Sequence, residues 1–221
     1  MKNYKYGYWT KRIIKHIKTK TLTLGIFIIG FCSAFVVHQE LHQAMIRIMD
    51  KMKSMKMSGN ANHDFAMMMA EHHQGSIDMS EITVKSAKDT KIESHAQNIL
   101  DKQSKEQQKL RAHPKSGSEP SHESHKQASD SAASSAGGFS NEMKKAMDRM
   151  ESEMHSMKMT DEIDHDFATM MIPHHQSAIE MSDAILKYGT DREIKGIAEK
   201  IKSDFEKEIG QLKSWLQNHG K

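Results

Sequence analysis

The chain repeats itself. Residues 55–80 align with residues 157–182 without a gap, at an offset of 102, and 15 of the 26 positions are identical. The identities include Met57/Met159, His63/His165, Asp64/Asp166, Phe65/Phe167, Met68/Met170, Met69/Met171, His72/His174, His73/His175, Gln74/Gln176 and Met79/Met181. The same offset pairs Met45 with Met147, Asp89 with Asp191, Ile99 with Ile201 and Leu110 with Leu212. A duplication of this kind builds a fold from two copies of one supersecondary unit, each with the same apolar face to bury. The units run over roughly 38–113 and 140–221. The stretch between them, 114–139, is rich in Ser, Gly, Ala and His, holds two of the three prolines and lacks apolar periodicity. It reads as a flexible linker, with His122 and His125 solvated.

Each unit has the periodicity of three helices. Leu41, Met45, Ile48, Met52 and Met55 are spaced 4-3-4-3, and Met143, Met147, Met150, Met154 and Met157 repeat the spacing, which is that of a packing seam. A second helix is predicted to start at Asn62 or Asp164, residue types suited to N-caps, with Asp64 or Asp166 in its first turn. One of its faces carries Phe65, Met69, His72, Ser76 and Met79; the copy carries Phe167, Met171, His174, Ala178 and Met181. It should end near Lys88 in the first unit and at Gly189, in a left-handed cap, in the second. Asp89 and Asp191 then cap a third helix, with Ile92, Ala96, Ile99 and Leu110 as its apolar face, or Ile194, Ile197, Ile201, Phe205, Ile209 and Leu212. No segment alternates with period 2, so the fold class is all-α.

Composition matters where it limits the chemistry. There is one cysteine, which excludes an intrachain disulfide scaffold and a cysteine-based zinc site. There are 19 Met and 15 His. Met specifies a core poorly, so its excess over other apolar residues asks for a reason. The motif His-Asp-Phe-Ala-x-Met-Met-x-x-His-His-Gln supplies one. On a helix, Met68 and His72 are i,i+4, as are Met69 and His73, so sulfur and imidazole lie on adjoining parts of one face. A Met stripe alone ordinarily packs a core, and a lone His there is ordinarily hydrogen-bonded. Here the whole constellation recurs. The candidate metal ligands are therefore Met68, Met69, His72, His73 and Met79, and Met170, Met171, His174, His175 and Met181. His63 and His165, near the helix start, join only through helix packing. Asp64 and Asp166 are first-turn acids or partners that orient a histidine. Pro173 stands where the first copy has Glu71, and predicts a kink before His174. Thioether ligands select Cu(I), and by the same softness Ag(I); imidazole suits Cu(I) and Cu(II).

Location comes from the N-terminus. Residues 1–20 carry seven Lys/Arg and no acid, which leaves 25 Lys/Arg against 29 Asp/Glu in the rest. The body is mildly acidic, so nucleic-acid binding is not expected. Residues 21–37 are uncharged and long enough to be a membrane anchor, with the basic flank inside and the body outside the cytoplasm. Cleavage of the leader would instead release a secreted or periplasmic body.

Met170-Met171-Ile172-Pro173-His174-His175-Gln176, with Phe167 before and Met181 after, resembles the DUF305 family; Met68-Met69-Ala70-Glu71-His72-His73-Gln74 is a looser match. The resemblance implies a ferritin-like helical bundle in secreted or membrane-associated bacterial proteins, of which some, the CopM-like proteins, bind copper and support copper tolerance. Di-iron bundles use inward glutamates and a Glu-x-x-His pair on each of two helices; here the spacing occurs at Glu119–His122 in the linker and at Glu162–His165 before the second copy of the motif, and the first copy lacks it. The expectation is a non-enzymatic, extracytoplasmic protein that binds copper, chiefly Cu(I), through Met and His, for sequestration or hand-over to a copper-exchange partner. Two other readings stay open: an envelope interaction module with Met-rich grooves, and a metal-dependent redox or hydrolytic enzyme.

Overall fold

The computed structural model describes residues 37–113, 128–160 and 162–219. The anchor or signal segment 21–37 lies, but for its last residue, outside them, as does most of the linker. Among the described residues no helix is long and apolar enough to cross a membrane, and there is no strand. The helices are α1 (37–54), α2 (Ala61–Ser86), α3 (Thr90–Ala112), α4 (Ala128–Ser156), α5 (Ile163–Tyr188) and α6 (Arg192–His219). Three helices per unit is the expected count. α4 reaches back to Ala128, into the stretch read from the sequence as linker.

α2 packs on α3, α5 packs on α6 and α4, and α2 meets α5 across the boundary between units. His72 contacts Ser177 and Ser76 contacts His174, so α2 and α5 run antiparallel, with residue numbers at one level summing to about 250. α1 lies against α2 and α4 through Lys51–Glu71 and Lys53–Glu151. The α2 face predicted from spacing, Phe65, Met69, His72, Ser76 and Met79, is fully buried, and so is its copy. The same holds for Leu41, Met45, Ile48 and Met52 in α1. Met55 and Met157 fall just past the helix ends and are only half-buried. α5 runs through Pro173 as one helix.

Two capping expectations are corrected. The N-cap of α2 is Asn60, whose side chain accepts from the amides of Asn62 and His63; that of α5 is Glu162, which makes no side-chain cap bond. Asn62 and Asp164 do different work. Asn62 Oδ1 accepts from the amides of Thr190 and Asp191 at 3.1 and 3.2 Å. Asp164 accepts from those of Lys88 and Asp89 at 3.1 and 3.0 Å. Each residue thus satisfies the interhelical turn of the other unit. Gly189 is not left-handed: its φ is −74° and ψ 151°. Glycine is needed there for room, because a Cβ would stand 2.6 Å from the Ile185 carbonyl oxygen and 3.0 Å from Asn62 Oδ1. Asp89 and Asp191 accept from first-turn amides of α3 and α6, as their sequence positions predict.

Candidate metal centre

The duplicated motif meets itself at the α2/α5 interface. His72 and His174, both fully buried, lie with ring centroids 3.8 Å apart and planes tilted by 39°. His72 Nε2 is 2.9 Å from Ser177 Oγ, and His174 Nδ1 is 3.2 Å from Ser76 Oγ. The other nitrogen of each ring, His72 Nδ1 and His174 Nε2, is buried without a hydrogen-bond partner. Burial, and then the neighbouring imidazoles, hold both rings well below the ordinary histidine pKa. Two neutral rings can touch; two imidazoliums in a dry interior would repel.

The antiparallel register sets thioethers on both sides of this pair. Met69, one turn from His72, comes level with Met181, and Met171, one turn from His174, comes level with Met79; all four are fully buried. Met150 of α4 also reaches this layer, its sulfur 3.2 Å from Ser177 Oγ. Met68 and Met170 are buried in the same core.

The adjacent histidines do not join them. On a helix successive side chains diverge by about 100°, and His73 and His175 turn toward α3 and α6. His73 Nε2 lies 3.2 Å from Glu106, and His175 Nε2 lies 2.9 Å from Glu208. Lys200 of α6 reaches Glu106 at 2.6 Å, and Lys102 of α3 reaches Glu208 at 3.4 Å. Burial lowers the His73 pKa while Glu106 opposes the shift. Burial raises both carboxyls, but the bonds from His73 and Lys200, and from His175 with the charges around Glu208, hold them below the usual carboxylate range. Phe205 stacks on His175 at 4.1 Å. The sequence reading named all four histidines as candidate metal ligands; the structure splits each adjacent pair between two environments.

His63 and His165 stay half-buried at the helix starts. His165 Nδ1 lies 3.4 Å from Thr169 Oγ1. Asp64 and Asp166 close their own loops, accepting from Ser58 and Gly59 and from Thr160 respectively. Asp166 also sits 2.9 Å from His38 Nδ1. Among the described residues no three His, Cys, Asp or Glu side chains converge on a point that would hold a metal ion. What the interface brings together is two imidazoles, in a core that also buries the methionines of the motif.

Sequence reasoning put Ser76 on the His72 face and Met150 in the seam, and missed Ser177, Glu106 and Glu208 as parts of this layer. Glu106 and Glu208 carried a signal, since they stand at the repeat offset inside apolar stripes. Ser177 carried none, because its repeat partner is Gly75.

The model of a domain of unknown function, DUF305, matches residues 62–216. A crystal structure of a DUF305 fragment from Deinococcus radiodurans is similar at 17% identity and a TM-score of 0.48, covering 72% of this chain and 96% of that one. Among curated proteins none matches. The family match spans both copies of the Met/His motif and most of the helices that hold them, and the chain belongs to the DUF305 family.

Proposed function

We propose that the chain binds Cu(I), with Ag(I) as its chemical mimic, at one interfacial site built by both units, and serves outside the cytoplasm in copper sequestration or hand-over. The observation that carries this is the pair of touching, neutral, fully buried imidazoles, each with one nitrogen lacking a partner. A buried polar atom left unsatisfied costs about 1–3 kcal/mol, and such groups call for an explanation. A soft ion supplies one. Neutral imidazoles and thioethers bind without first releasing a proton, and their softness selects Cu(I). Sulfur in this form also survives where thiolates would oxidise. His72 and His174 are the nitrogen donors, and the buried Met69, Met79, Met150, Met171 and Met181 are the candidate thioethers. The CopM-like members of the family give the reading its biological setting.

Competition against a Cu(I) chelator tests it on the full-length protein. The expected stoichiometry is one Cu(I) per chain, because the copies share one site. Replacing His72 and His174 together by Gln should abolish retention, whereas replacing His73 and His175 should weaken it less. Exchanging Met69, Met79, Met171 and Met181 for Leu keeps volume and should cost each position under about 1.5 kcal/mol of stability, yet lower copper affinity. No retained Cu(I), or retention untouched by the His72/His174 change, would reject the proposal and leave the methionines as packing.

A further inference from the structure

We infer that Ser177 is a positioning residue: it holds His72 in the form protonated on Nε2, and so makes Nδ1 the nitrogen offered to a soft ion. The metal part of this rests on the reading above; the tautomer does not.

A serine hydroxyl has one hydrogen. Ser177 Oγ lies 2.8 Å from the His174 carbonyl oxygen, one turn back on α5. It also lies 3.2 Å from Met150 Sδ. Either acceptor takes that hydrogen, and toward His72 the hydroxyl then presents a lone pair. His72 Nε2, at 2.9 Å, must carry the proton to make the contact a hydrogen bond. The neutral ring holds one N–H, so Nδ1 is bare. The opposite assignment pulls the Ser177 hydrogen away from its two acceptors. It also leaves His72 Nδ1–H as a buried donor without a partner, and orphaned buried N–H groups are rarer than under-satisfied acceptors.

The two copies have diverged to produce this. Ser177 corresponds to Gly75, and Ser76 to Ala178. If the units were identical, both rings would be bound through the same nitrogen. Instead His174 is held through Nδ1 by Ser76. Its Nε2 lies 3.1 Å from the point where a Gly75 Cβ would stand, where the other unit has its serine. The interface therefore offers unlike nitrogens, Nδ1 of His72 and Nε2 of His174.

The test is a long-range proton–nitrogen correlation spectrum of the full-length protein labelled with ¹⁵N at histidine. His72 is assigned by its loss in His72→Gln. The spectrum is taken metal-free and then with silver nitrate. The metal-free protein should show His72 protonated on Nε2, and Ag(I) should move the His72 Nδ1 resonance. Ser177→Ala should mix the tautomers and weaken Ag(I) binding by about tenfold, the usual effect of losing a residue that orients a ligand. Ser177→Thr, which keeps the hydroxyl, should restore both. His72 protonated on Nδ1 in the metal-free wild type would overturn the inference, and that spectrum decides even if a variant fails to fold. So would Ser177→Ala with tautomer and affinity unchanged. Wild-type protein that keeps the Nε2–H form but takes up no Ag(I) would sink the metal-binding reading while leaving the role of Ser177 in fixing the ring.

Discussion

Gly75 shows how finely a single position is adjusted to its neighbour in a duplicated core. A Cβ there would stand 2.7 Å from Ile48 Cγ2 and 3.1 Å from His174 Nε2. At the equivalent place in the other unit a full serine is tolerated, and the residue facing it is Met150 in place of Ile48. The exchange is physical. Ile is branched at Cβ and stiff at χ1, so its methyl cannot retreat; Met has three rotatable bonds beyond Cα and yields. Gly75→Ser should therefore destabilise the protein by about 1–3 kcal/mol through overpacking, read from the urea midpoint. Ile48→Met combined with Gly75→Ser should recover most of that loss, a coupling that a double-mutant cycle measures. Additive effects in the cycle would show that the two positions do not compete for the same space.

At the scale of elements, the sequence disclosed the helices and their buried faces but not how their ends are tied together. Periodicity identifies what a helix buries, and every residue of the α2 stripe and its copy is buried as the spacing implies. Capping rules, in contrast, look only at the local chain. Asn62 and Asp164 have the right chemistry for an N-cap, yet the local cap of α2 falls to Asn60, while Asn62 and Asp164 stitch to turns more than 70 residues away. No single-sequence signal distinguishes a carboxamide that caps its own helix from one that caps a distant turn. The split of each histidine pair was hidden in the same way: helical geometry says that neighbours diverge, but which partner each finds depends on α3 and α6. The stitches give a prediction. Asn62→Ala strands two amides and should cost about 1–2 kcal/mol, in the range of a lost cap. Asn62→Asp should be milder, since Asp164 fills the matching role in the other copy. Protection of the Thr190 and Asp191 amides from hydrogen exchange should fall in Asn62→Ala and persist in Asn60→Ala. Equal loss in both would mean that the tie between units follows from general helix stability and not from this side chain.

For the molecule as a whole, buried neutral histidines couple folding to pH. His72, His73 and His174 all have folded pKa values below the ordinary 6.5, chiefly through burial. His95, flanked by Glu208 and His175, is lowered to about 4, again mainly by burial. Each releases its proton on folding if the solution is acidic enough for the unfolded chain to hold one. The unfolded state then binds more protons, so stability rises with pH across the window and falls on acidification. The loss should begin as pH drops through about 6.5, where the unfolded histidines start to charge. It grows by at most about 1.4 kcal/mol per pH unit for each such histidine. Carboxylates do not account for this part of the curve. Glu106 and Glu208 are lowered from an ordinary value of 4.5, so the stability they contribute is lost only below that pH. Between about 6.5 and 4.5 the loss on acidification belongs to the imidazoles; Glu180, raised from 4.5 chiefly by burial, works in the opposite direction. Urea unfolding at pH 7, 6 and 5 should give midpoints that fall at each step. The variant with His72 and His174 both replaced by Gln, which cannot titrate, should start lower at pH 7 but lose less on going to pH 5. A wild-type midpoint that does not move over this range would mean that water or counter-charge reaches these rings, and that the interior between the units is not the dry, neutral layer on which both the contact of His72 with His174 and the soft-ion proposal depend.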